Sequence, residues 1–254
     1  MNSSMNNQYW NSLAESFTDH VLEISSYDQS GVLKEEIAHA AKNGRVAADL
    51  GCGTGGFLKD LSPHFKILHA VDYAVELLEK ARERTSSPNI KYTHHNLAGG
   101  KPLPFKADVT FCVNALISPS SNQREKMARC VWRTTKFKGV SIFVVPSFES
   151  AMNTYHARIR CQMREGKRRH HAVREMERLY RKEVKSSIDR IVSIGGTLTK
   201  CFTREEIAVF LSDIGFEVLR IRKIEYPWSE ELDHVPQWLK DPYPCDWFAL
   251  ARKT

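Results

Sequence analysis

Val46-Ala47-Ala48-Asp49-Leu50-Gly51-Cys52-Gly53-Thr54-Gly55-Gly56-Phe57-Leu58 is the stretch that decides the fold. An apolar run ends in an acid, passes four glycines in six residues (Gly51, Gly53, Gly55, Gly56), and re-enters an apolar pattern. A buried strand feeding a tight loop and then a helix has this signature, and α/β sheets cradle nucleotide-like ligands in such loops. Glycine serves there because the backbone turns sharply and approaches the ligand with no Cβ between them.

Outward from this loop, strand and helix patterns alternate. Strands are expected at 45–50, 67–72, 90–94, 108–113 and 140–145. Helices are expected over 57–61, stopped by Pro63, and over 75–84 and 121–136. Such alternation implies a mostly parallel sheet with right-handed crossovers. Before the first strand, residues 9–43 read as amphipathic helix, with Tyr9, Trp10, Leu13, Phe17, Val21 and Leu22 spaced mostly three or four apart. After the fifth strand, Glu149 to Lys185 reads as a long helical segment. Met152, Tyr155, Ile159, Met163, Val173, Met176, Tyr180 and Val184 form its apolar stripe, Gly166 is a break point, and a Gly195-Gly196 turn follows. Thr203 and Glu206 have capping-box spacing for a helix ending at Gly215; strands at 216–225 and 247–252 complete the pattern.

The 254 residues, 42% hydrophobic, suffice for one substantial core, so 1–254 is expected to be a single domain. Residues 1–44 would form a helical lid and 149–200 a basic helical insertion. No run approaches the ~18 apolar residues of a membrane span. The polar start Met1 to Asn7 lacks the pattern of a secretory leader. Six scattered cysteines without a CxxC pair predict no zinc site and no disulfide framework, which suits a cytoplasmic protein. Twelve basic residues against five acids lie between Arg158 and Arg190, a difference equal to the whole net charge of +7. Basicity therefore belongs to one segment.

Two ligands compete for the loop. Gly51-x-Gly53-x-x-Gly56 satisfies a dinucleotide fingerprint, with Asp72 at 21 positions beyond Gly51 to meet a ribose. Against a dinucleotide, Asp49 places a carboxylate where a pyrophosphate would repel it, Gly55 adds a glycine at alternate spacing, and the loop follows an aromatic helix. A ligand with a cationic end accounts for Asp49 through a charge-assisted contact. S-adenosylmethionine, with its ammonium and sulfonium and no phosphate, is such a ligand.

The chain resembles the class I S-adenosylmethionine-dependent methyltransferases. The resemblance is carried by Asp49-Leu50-Gly51-Cys52-Gly53-Thr54-Gly55 and Ala70-Val71-Asp72-Tyr73, with support from Asn96-Leu97 and Leu103-Pro104-Phe105-x-x-Asp108. It implies a Rossmann-like α/β fold: seven strands, mostly parallel, the last antiparallel, with a helical cap inserted after the fifth. By that resemblance Asp49, Gly51, Cys52, Gly53 and Gly55 line the methionine and ribose, Asp72 holds the ribose, and Tyr73 lies against the adenine. Asn96, where the family usually has Asp, and Leu97 flank the adenine. Asn114 and Ala115 face the methyl group, and Tyr9 and Trp10 lie as a lid.

No catalytic base stands out. His156 and Tyr155, opening the long helix, are candidates for touching the acceptor, and Tyr226 and Trp228 for walling its pocket; His94 and His95 fall at the cofactor's edge. Asn114-Ala115-Leu116-Ile117 departs from the Asn/Asp-Pro-Pro-aromatic sequence of base-amine methylation, and no Cys-Pro pair serves cytosine. The expectation is O- or N-methylation of a small-molecule acceptor. Alternatives are an RNA or protein acceptor docked on the basic segment, or a cofactor-binding partner protein without transfer activity.

Overall fold

Seven strands form the central sheet, in the order β3-β2-β1-β4-β5-β10-β9. The structure is a computed structural model that describes residues 7–15, 17, 21–42 and 44–254. The parallel set is β1 (Val46–Leu50), β2 (Ile67–Asp72), β3 (Ile90–His94), β4 (Ala107–Val113) and β5 (Thr135–Pro146). β9 (Phe216–Glu225) and β10 (Cys245–Lys253) close the far edge, with β10 antiparallel to both β5 and β9. The expected fold class is therefore the observed one.

Alternate residues of each strand enter two cores, because successive side chains point to opposite faces of a sheet. Ala47, Leu68, Phe111, Val144 and Phe248 pack on one face against α3 (Val32–Ala41), α4 (Leu58–Leu61) and α5 (Val75–Arg84). Ala48, Val71, Cys112, Phe143 and Ala249 pack on the other against α6 (Ser121–Thr134) and α9 (Arg204–Ile214). Thr203 caps α9 by accepting from the Glu206 N–H at 3.2 Å. The Glu206 side chain does not return the bond; it turns to Lys200.

Two regions depart from the reading of the sequence. The span 9–43 is not one helix. Among its described residues it divides into α1 (Asn7–Ser12), α2 (Ile24–Tyr27) and α3, with Gly31 at φ +68° directly before α3. Ser16, Thr18 to His20 and Asn43 of that span, and Met1 to Asn6 before it, lie outside the described residues.

The insertion begins with two helices parted at Gly166, α7 (Phe148–Arg164) and α8 (Arg169–Glu183). It then adds a three-stranded antiparallel sheet, β6 (Val184–Ser186), β7 (Ile191–Ile194) and β8 (Thr197–Lys200). β7 and β8 form a hairpin across Gly195-Gly196, both at positive φ. Two short β-branched runs flanking a Gly-Gly pair carry that hairpin in the sequence. Helical periodicity upstream masks it. No helix of the described residues is long and apolar enough to cross a membrane.

Candidate functional site

The carboxyl ends of β1, β2 and β4 and the loops after them surround a cavity of about 370 Å³. Its floor is the glycine loop. The Gly51 and Cys52 N–H groups both donate to the Val71 carbonyl, at 2.7 and 3.0 Å, which ties the loop to β2. Gly51 (φ +89°) must be glycine, because a Cβ there would sit 2.6 Å from the Ala115 Cβ. A Cβ on Gly53 would lie 2.8 Å from the Phe17 ring, which closes the cradle from the N-terminal side. Gly55 serves another purpose. Its Cβ would meet Ala81 at 2.9 Å, so it lets the loop pack on α5 rather than on a ligand.

Of the expected cofactor residues, Gly51, Gly53, Asp72, Tyr73, Asn96, Leu97, Asn114 and Trp10 line this cavity. Asp72 is 7% exposed, and its two oxygens accept from the Gly53 and Ala74 N–H groups, both at 2.9 Å. The Tyr73 backbone N–H also bonds this carboxylate, and the acceptor capacity that remains faces the cavity. Burial pushes its carboxyl above the usual range, and the backbone N–H bonds oppose that shift. Asn96 Oδ1 already accepts from the Ala98 N–H at 2.9 Å in a local turn. His94 and His95 also line the cavity; their Nε2 atoms sit 2.9 Å from the Tyr73 and 3.1 Å from the Lys101 carbonyl oxygens.

Asp49 and Cys52 lie off the main cavity, beside a smaller recess of about 70 Å³ that shares Gly51, Gly53, Phe17 and Asn114 with it. Burial, with the charge of Asp72 adding to it, pushes the Asp49 carboxyl up to about 7. A buried carboxylate in this state is held ready for a cationic group. Tyr9 does not line the cavity. Its hydroxyl shares a hydrogen bond with the Thr197 hydroxyl, so it ties α1 to the insertion.

A second cavity of about 280 Å³ opens between the sheet edge and the insertion, and Val21, Asn114 and Ile117 line both. Asn114 marks the junction. It holds φ +49°, in the left-handed region that Asn tolerates better than most residues. Its amide nitrogen donates to Asp246 Oδ2 at 3.2 Å, while its own Oδ1 is buried without a partner.

Tyr155 lines this second cavity and donates to Glu183 Oε2 at 2.7 Å. Burial and that carboxylate both push its phenol above the ordinary range. His156, the other catalytic candidate, is exposed and lines neither cavity. One helical position apart, the two side chains point about 100° from each other. Tyr226 is on the wall and donates to Glu231 at 3.0 Å. Trp228 is instead buried against Ala157 and Leu239.

Sequence reading missed Asp246, Glu183, Glu231 and Arg158 on this wall. Asp246 had a signal in the sequence: an acid at the head of a strand whose next five residues are apolar. An antiparallel last strand begins at the carboxyl edge of the sheet, and Asp246 pairs with Pro146 at the end of β5. Burial raises its carboxyl to about 7, against the opposing Asn114 hydrogen bond.

These raised carboxyls set a pH dependence of folding. Between the unfolded value near 4 and the folded value of about 7, the folded state holds the extra proton, so stability falls as pH rises through that window. Asp49→Asn is therefore expected to melt close to the parent at about pH 4 and increasingly above it as pH rises, the gap reaching the order of a few kcal/mol at about pH 8. Thermal melts of the ligand-free protein check this.

Comparisons with known proteins agree with this geometry. Residues 47–139 match the family model described as a methyltransferase domain. Among solved structures, the DhpI–SAM–HEP complex superposes with a TM-score of 0.65 at 14% identity, covering 99% of both chains. Magnesium protoporphyrin IX methyltransferase from Synechocystis, with bound S-adenosylhomocysteine, gives 0.60 at 14% identity, over 98% of this chain and 97% of that one. An N-methyltransferase from Bradyrhizobium japonicum, also with S-adenosylhomocysteine, gives 0.56 at 11% identity, over 89% and 86%. No curated protein matches the chain by sequence. At these identities the likeness is one of fold.

Proposed function

We propose that this chain, which has the fold of solved methyltransferases and matches a methyltransferase domain over residues 47–139, is a class I S-adenosylmethionine-dependent methyltransferase that methylates an oxygen or nitrogen of a small molecule held in the second cavity. The observation that carries the reading is the meeting of the two cavities at Asn114. A donor in the first and an acceptor in the second would face each other across that residue, and such alignment is most of what this reaction asks of a protein.

The residues present suit the cofactor. The Gly51–Gly53 turn holds positive φ with no room for a Cβ against Ala115 and Phe17, Asp72 turns a buried carboxylate to the cavity, and Asp49 is a buried carboxylate beside the loop. When bound, the cofactor supplies a methyl group already activated by its sulfonium. Asp72 would hold its ribose hydroxyls, Asn96 and Leu97 would border its adenine, and Asp49 would face its cationic end. Trp10, Phe17 and Val21 border the first cavity from the N-terminal segment. The second cavity is walled by α7, the β7–β8 hairpin and the segment after β9, so the insertion gives the acceptor site its size.

Apart from Arg158, the basic residues of the insertion lie elsewhere. Arg164, Lys167, Arg168, Arg169, Arg174 and Arg178 are exposed, and a solvated charged face is worth little by itself. Transfer from methyl-tritiated S-adenosylmethionine to panels of small amines, phenols and carboxylic acids, with total RNA and protein extract in parallel, tests the reading. Label is expected in a small product. Replacing Lys167, Arg168 and Arg169 by Ser is expected to change turnover by less than about twofold, since exposed charges beyond a Debye length are screened. Label in RNA or protein that disappears with the triple substitution would overturn a small-molecule acceptor.

A further inference from the structure

The second cavity has a charge imbalance that its neighbours do not relieve. Four acids border it, Glu230 exposed to solvent and the less exposed Asp246, Glu231 and Glu183, against the single guanidinium of Arg158. Arg158 does not neutralise them by pairing. Its Nη2 donates to the Glu231 backbone carbonyl at 3.0 Å, and its Nε is buried without a partner. Glu183 and Glu231 are held from behind by the hydroxyls of Tyr155 and Tyr226. Of the five acids in the otherwise basic stretch 158–190, Glu183 is the one that lines this cavity. The insertion thus shows positive charge to solvent and brings a negative one inside. Asn114 Oδ1 and Arg158 Nε are both buried without a hydrogen-bond partner.

From this arrangement we infer that the acceptor is an amine, drawn in as its ammonium form by Asp246, Glu231 and Glu183, and that Asp246 is the catalytic residue that takes its proton. The inference rests on the second cavity being the acceptor site and narrows that site to nitrogen. An anionic acceptor would have to enter beside Asp246, Glu231 and Glu183, the first two of them acids that burial already makes hard to charge, with a single guanidinium to offset it.

Position selects Asp246 among the three. It is 5% exposed and hydrogen-bonded to Asn114, the residue shared with the cofactor cavity. An ammonium has no lone pair and cannot attack carbon. One N–H proton passes to the Asp246 carboxylate, giving a neutral amine and a carboxylic acid. The freed nitrogen pair then forms the N–C bond while the C–S bond breaks, its electrons remaining on sulfur. The product leaves as a methylammonium, and Asp246 returns its proton to water. A carboxyl held near 7 is suited to this exchange at neutral pH. The ionisable groups around Asp246 are Glu231 and Tyr226 after β9, Cys201 after β8, Cys245 on its own strand, and Glu183 and Arg158 from the insertion.

Calorimetry on the full chain saturated with S-adenosylhomocysteine tests this without turnover. The probes are phenethylamine, phenethyl alcohol and phenylacetate, of similar shape and differing in charge. The amine is expected to bind at least about tenfold more tightly than the alcohol, the acid weakest of all, and the preference to fall from about pH 8 to about pH 5 as Asp246 takes up a proton. Asp246→Asn should erase the preference and its pH dependence while S-adenosylhomocysteine affinity holds, and Glu231→Gln should reduce the preference in part. Equal binding of amine and alcohol, tighter binding of the acid, no amine binding, or a preference that survives Asp246→Asn overturns the inference. Failure of S-adenosylhomocysteine to bind the parent chain would instead sink the methyltransferase reading beneath it.

Discussion

Asp72→Ala is expected to lower the affinity for S-adenosylhomocysteine by at least about 100-fold, read by calorimetry, while the protein stays folded. Two charge-assisted hydrogen bonds to ligand hydroxyls are worth about 1.5–3 kcal/mol each, and every 1.4 kcal/mol is about a factor of ten. A second loss adds to this. Asp72 pins the Gly53 and Ala74 N–H groups, so its removal also frees the loop that shapes the cavity floor. The fold survives because a carboxyl whose charged form burial disfavours contributes little to stability. Asp72→Asn keeps the shape and one acceptor oxygen and should fall between the two. Unchanged affinity in Asp72→Ala would remove the cofactor from this cavity.

Glu206→Ala is expected to cost stability rather than cofactor affinity. Lys200 is the one lysine of the buried set, at 1% exposure; its ammonium donates to Glu206 Oε1 at 2.6 Å and to the Asp189 carbonyl at 2.7 Å. Glu206 is 29% exposed and Lys200 keeps the Asp189 carbonyl, so stranding the lysine costs less than in a fully buried pair, about 2–3 kcal/mol, and a chain of this size loses roughly 2–4 °C of Tm per kcal/mol. A fall in Tm on the order of 10 °C follows. Lys200 belongs to β8, its N–H donates to the Ile117 carbonyl at 2.8 Å, and its neighbours Thr199 and Cys201 line the second cavity, the proposed acceptor site. Acceptor KM should therefore rise while S-adenosylhomocysteine affinity changes little. Adding Lys200→Met to Glu206→Ala should recover much of the lost stability, because replacing both partners of a buried pair is far milder than removing one. A double variant no more stable than Glu206→Ala would refute this account.

The two sites differ in how much of them the sequence carries, and the cause is physical. Asp49, Gly51, Gly53, Asp72, Tyr73, Asn96, Leu97 and Asn114 fall at the carboxyl ends of consecutive parallel strands or in the loops just after them. In such a sheet those ends share one edge, so local motifs at strand ends converge whatever the loop lengths. The second cavity takes Tyr155 and Arg158 from one helix, Glu183 from the end of the next, Thr199 from a hairpin and Asp246 from the far strand. No spacing rule links them.

Local chemistry in the sequence determined the fold class, the cofactor cradle, the break at Gly166 and the cap at Thr203, because each rests on hydrophobic period, backbone freedom or a bond between near neighbours. Tertiary structure decided the rest. It turned Tyr155 inward and left His156 in solvent, assigned Gly55 to packing and Tyr9 to the insertion, and brought Asp246 to the cavity by running β10 backwards. Those outcomes depend on which elements pack together, and packing between distant segments has no period to read.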